Sequence, residues 1–134
     1  MTHPLPLTAA LAALLLAQPA AAQEVDCEAA EVQMELTFCA EQDWNAADKA
    51  LNVTYKAARD VMRNIDAGLP EARRGAEMQL RDAQRAWVTF RDATCSAEGY
   101  AYHGGSIEPM VIYACRARLT WQRAEDLDAI AVTY

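Results

Sequence analysis

The chain has 134 residues and a formal charge of −7, with nineteen Asp and Glu against twelve Lys and Arg. A surface of that sign is a poor match for nucleic acid, whose phosphates need basic residues, and for an anionic membrane. It favours solubility, and through long-range attraction it favours a cationic partner.

Residues 1–22 contain no Lys, Arg, Asp or Glu. An apolar run from Leu7 to Ala17 (LTAALAALLLA) leads into Gln18-Pro19-Ala20-Ala21-Ala22 and then the charged segment from Gln23-Glu24. Such a run is too short to span a bilayer as a helix, which takes roughly 20 residues. It suits the apolar core of a secretory signal peptide, with small residues ahead of the cut. Residues 1–22 are therefore expected to be a signal peptide cleaved after Ala22, leaving 23–134 as one periplasmic or secreted domain. Met1 to Pro6 lack Lys and Arg, so only the α-amino group supplies positive charge there. No later apolar run is long enough to cross a membrane. Cys27 follows Glu24-Val25-Asp26 rather than the small apolar residues of a lipoprotein signal, so no membrane anchor is expected.

The first helix is expected to open near Glu31. Its inner stripe is Trp44, Ala47, Leu51, Tyr55, Ala58, Met62 and Ile65, in steps of three and four, with Met34 and Phe38 on a related face upstream. Asp66-Ala67-Gly68-Leu69-Pro70 stops it, Gly68 being suited to a left-handed cap and Pro70 to a first helical position. The second helix is expected from Pro70 to Glu98, with Ala76, Leu80, Ala83, Trp87, Phe90 and Thr94 inward. Gly99 to Gly105 (GYAYHGG) reads as a loop. Ser106 then offers an N-cap for a third helix, with Glu108 favourably placed near the positive end of its dipole. The third stripe is Met110, Tyr113, Ala117, Thr120, Ala124, Leu127 and Ala131. No segment alternates with period two for long enough to suggest a strand. The fold class expected is all-α: an antiparallel bundle of three long helices.

Four cysteines follow the leader: Cys27, Cys39, Cys95 and Cys115. In a small exported domain an even count reads as disulfides. Of the three possible pairings, Cys27–Cys39 with Cys95–Cys115 is favoured, because each closes a short segment at a helix end. A zinc site is the weaker reading, since no Cys-x-x-Cys occurs and His103 is the one histidine after the leader. No metal and no cofactor are expected.

The order of motifs resembles a known family. It runs Cys27-x11-Cys39, Ala47-Asp48, Leu51-Asn52 and Tyr55, then Ala83-Gln84-x-Ala86-Trp87-x2-Phe90-Arg91-Asp92-Ala93-x-Cys95. Gly104-Gly105-Ser106-Ile107, the stretch Cys115 to Arg123 and Leu127 complete it. This pattern is similar to the lysozyme inhibitor LprI-like domain family, across nearly all of the segment after the leader. The resemblance implies a helical, disulfide-bonded extracytoplasmic domain. More narrowly, it implies lysozyme inhibition, the activity of the mycobacterial lipoprotein that names the family. This sequence departs from that lipoprotein in lacking a lipidation cysteine. It also carries Val32 where relatives often have a Thr, which leaves Glu35 without a capping-box partner.

Candidate functional residues follow from side-chain chemistry. The loop Tyr100, Tyr102, His103, Gly104, Gly105 and Ser106 combines aromatic rings with glycines, a composition suited to contacting a protein. Trp87 and Phe90 are expected in the core, with Arg91 and Asp92 tethering the second helix, or with Arg91 lining a surface groove. Asp48 and Asn52 share a helix face and are expected to reach across the bundle to Arg91 or Arg123. Trp44 and Trp121 are expected to be packed. No nucleophile with an adjacent base is apparent, so no enzyme is expected. Three functions compete: a secreted inhibitor or binder of a cationic lysozyme, a periplasmic interaction module of the envelope unrelated to lysozyme, and a small-molecule-binding domain with a pocket lined by Trp87, Tyr55 and Arg91. Oligomeric state is open.

Overall fold

The computed structural model describes residues 24–134, so the expected signal peptide lies outside the described residues. Three helices follow one another: α1 (Gln33–Ala67), α2 (Ala76–Gly99) and α3 (Glu108–Thr133). Single 3-10 turns, Glu71–Arg73 and Tyr100–Tyr102, occupy the two connections. No strand forms among the described residues. Cross-links fix the directions. Gln33 of α1 bonds to Met110 of α3 and Trp121 to Asp43, while Gln84 of α2 meets Arg123. Thus α1 and α3 run parallel and α2 runs against both, the antiparallel bundle read from the periodicity. Both disulfides pair as favoured, Cys27–Cys39 and Cys95–Cys115.

The core lies mainly along the α1–α3 seam, where Ala47, Leu51 and Ala58 meet Ala117, Thr120, Ala124 and Leu127. Alanine on both sides lets the two backbones approach, and Leu51 and Leu127 fill the space that remains. Burying each leucine contributes about 1.5–3 kcal/mol. From α2 the buried residues are Leu80, Arg91, Cys95 and Gly99. A Cβ on Gly99 would sit 2.5 Å from Ile112 Cγ1, so glycine is what allows α2 to close on α3 beside the second disulfide.

Several local expectations need correction. α1 begins at Gln33, after Val32, which provides no side-chain cap. Gly68 is right-handed, with φ −80°, and the chain turns through the 3-10 segment before α2 starts at Ala76 rather than Pro70. The start of α2 is set from outside: Asp66 of α1 accepts the Gly75, Ala76 and Glu77 N–H groups at 2.8, 2.9 and 3.1 Å. Those bonds satisfy donors that Gly75 has no side chain to reach, and they hold the Asp66 carboxyl below its ordinary value. α3 starts at Glu108 behind Ile107, not Ser106, with Pro109 in its first turn. Phe90 is 57% exposed rather than buried, and Ala83 is exposed with it. Asn52 donates to the Asp48 carboxylate and carbonyl on its own helix, not across the bundle.

Candidate functional site

The α2–α3 connection stands at the end of the bundle that both disulfides occupy. Tyr100 is 68% and Tyr102 48% exposed, and His103 through Ser106 are exposed with them. Order in this loop comes from one carboxylate. Glu108, the first residue of α3, accepts the Gly104 N–H at 2.8 Å and lies 3.1 Å from His103 Nδ1. An ionised carboxylate only accepts, so the imidazole N–H is the donor. The His103 contact first, and the Gly104 N–H second, lower the Glu108 carboxyl from its ordinary value. His103 in turn stacks on Tyr100 with ring centroids 4.6 Å apart, and Gly104 turns the chain at φ +78°, a conformation L side chains rarely adopt. The predicted recognition residues are therefore gathered into one hooked, outward-facing loop.

Arg91 is not part of it. The side chain is 6% exposed, with Nε donating to Asp92 Oδ1 at 3.0 Å and Nη1 to Thr120 Oγ1 at 3.5 Å. Its guanidinium carbon lies 5.6 Å from the Trp44 ring and 5.2 Å from the Trp87 ring. Two indoles and a carboxylate satisfy the buried cation, each ring contributing up to about 2 kcal/mol when desolvated. Arg91 thus braces α2 against α1 and α3 from a buried position. Trp44 is partly buried and stacks on Tyr113, whereas Trp121 is partly exposed and donates its Nε1–H to Asp43 at 3.0 Å. Tyr55 and Trp87 pack against the core cluster. A cleft lies elsewhere, between the loop and α3.

Sequence reasoning missed two features of this end. Residues 24–48 carry eight carboxylates and no Lys or Arg, so residues 49–134 hold all twelve bases against the remaining eleven acids. The whole excess negative charge therefore belongs to the N-terminal segment and the first turns of α1. Charge counted in windows would have shown this. The Glu108 hook has a weaker signal, an acid four residues after Gly104, whose meaning emerges only once the loop is folded.

The family model "Lysozyme inhibitor LprI" matches residues 26–127. The chain belongs to that family. An uncharacterized protein of Rhizobium meliloti (strain 1021) is 44% identical over 114 residues, covering 81% of this chain and 82% of the relative. The crystal structure of a DUF1311 family protein from Pseudomonas putida KT2440 superposes with a TM-score of 0.66 at 23% identity. It covers 78% of this chain and 98% of that one, and it shows the shared fold. The LprI match spans both disulfides, the loop and the Glu108 hook. Two disulfides and the family fit an extracytoplasmic protein, and no described helix is long and apolar enough to cross a membrane.

Proposed function

We propose that this LprI-family protein works outside the cytoplasm as a non-enzymatic inhibitor of lysozyme, with Tyr100–Ser106 as the segment that enters the enzyme's cleft. The observation that carries the reading is the hooked aromatic loop, presented at the same end as the eight carboxylates of residues 24–48. A loop already ordered by Glu108 loses little entropy on binding. The acidic segment beside it attracts a basic lysozyme over several ångströms and orients it. Two disulfides fit an oxidising compartment, and a peptidoglycan-cleaving enzyme acts in such a space. His103 is exposed, tied to Glu108 and stacked on Tyr100, an arrangement suited to a contact surface.

Purified, oxidised protein is expected to slow lysozyme turnover in a cell-wall clearing assay at low salt. Tyr100→Ala with Tyr102→Ala should weaken that effect without changing the fold. Unchanged turnover at large molar excess of the protein would reject the proposal.

A further inference from the structure

The cleft beside the loop has a chemistry of its own. It is an open cleft of about 500 Å³ between Gly104 and Gly105 of the loop and Pro109, Ile112, Tyr113 and Arg116 of α3. That volume lies within the roughly 300–1,000 Å³ range of small-molecule sites.

Arg116 brings a cation whose counter-charge is shared. Asp92 Oδ1 lies 3.0 Å from Arg91 Nε and 3.4 Å from Arg116 Nε, so one carboxylate serves two guanidiniums. The shorter contact is a hydrogen bond, whereas Arg116 Nε is buried without a hydrogen-bond partner among the described residues. Trp44 fixes the group from the side, its ring 4.9 Å from the Arg116 guanidinium carbon, and the same indole stacks on Tyr113 of the cleft wall. The other arginines of α3 are supplied: Arg118 meets Glu98 at 2.7 Å, and Arg123 Nε donates to Gln84. Two further polar groups line the cleft and are engaged. Glu108 is held by Gly104 and His103, and Ser96 Oγ donates to the Asp92 carbonyl.

We propose that this cleft binds a small monocarboxylate with an apolar body, the carboxylate on Arg116 and the body against Pro109, Ile112 and Tyr113. A guanidinium fork matches a carboxylate in shape as well as charge. One incompletely neutralised cation suits one negative charge. A dianion would face Glu108 and the acidic segment 24–48 with no second cation to hold it.

The probe is 3-phenylpropionate, compared with its amide, 3-phenylpropanamide, by titration of the oxidised protein at low salt with amide NMR detection. The acid is expected to shift the Gly104, Gly105 and Ile112 amides and to bind about tenfold more tightly than the amide. Equal binding of the two, no shift from either at about 20 mM, or tighter binding of inorganic phosphate overturns the proposal. Arg116→Gln should weaken the acid roughly tenfold and leave the amide unchanged. Arg118→Gln, which removes the surface pair with Glu98 and a contact with Cys115 Sγ, should change neither, and an equal loss from it contradicts the role given to Arg116. Should Arg116→Gln misfold, the acid–amide comparison on the unmodified protein still decides the matter.

Discussion

Each of the two turns in this bundle is held by a single carboxylate, yet the two serve different ends. Asp66 reaches forward from α1 and takes three backbone N–H groups at the start of α2. Beside it Glu77 pairs with Arg59 and Arg63, leaving a polar, partly exposed corner. Glu108 reaches backward from α3 and takes one backbone N–H and one imidazole, leaving two tyrosines facing outward above a cleft. The first carboxylate starts a helix, and the second shapes a surface. Hydrogen bonds of the same kind thus give stability at one end and presentation at the other.

Variants can separate these roles, beginning with the largest effect. Replacing Cys95 and Cys115 with Ser removes a buried link across α2 and α3, spanning 20 residues of sequence. In the chain-entropy model that costs about 3 kcal/mol, seen as a lower midpoint in denaturant unfolding. Asp66→Ala should lower the melting temperature by less than the disulfide loss, since three N–H groups at the α2 N-terminus are released to water. It should leave the 100–106 loop unchanged by NMR. Gly104→Ala meets no atom within 4 Å, so its cost of about 1 kcal/mol is backbone strain alone, from φ +78°. Glu108→Gln should move global stability least, while speeding amide exchange at Gly104 and weakening inhibition of lysozyme.

Acid adds a second axis to the comparison. Both carboxyls are held below their ordinary values, 3.8 for Asp66 and 4.5 for Glu108. The folded chain therefore binds fewer protons than the unfolded chain across that range. The stabilisation is complete at neutral pH and is lost as pH falls through the lowered folded-state values. Melting temperature plotted against pH should accordingly fall less steeply below about pH 4 in Asp66→Ala and Glu108→Gln than in the parent.

The bundle was legible because α1 and α3 bury small and branched residues on one narrow seam. Ala47, Leu51 and Ala58, and Ala117, Thr120, Ala124 and Leu127, fall on the stripes that a 3.6-residue period selects. α2 was less legible. It touches its neighbours along a thinner line, so Phe90 at the stripe's edge stays in solvent while Arg91, one residue on, turns inward. Hydrophobicity cannot forecast that exchange, because burial of Arg91 depends on Trp44, Trp87 and Asp92 meeting it in three dimensions. The start of α2 was misplaced for a related reason, since its cap is Asp66, nine residues before Gly75. Loop composition identified Tyr100 to Ser106, but the Glu108 hook leaves only an acid four residues after Gly104, and the cleft at Arg116 leaves no local mark.

On the proposed function, the disulfide-bonded, acidic end meets the enzyme. Titrating the oxidised protein with a basic lysozyme while following backbone amides tests it most directly. Perturbations should concentrate on Tyr100–Ser106 and on α1 up to Asp48. They should weaken as salt shortens the screening length from about 10 Å at 0.1 M to about 3 Å at 1 M. Shifts centred on Arg59 to Arg85 at the opposite end, or none at large excess of lysozyme, would contradict the account.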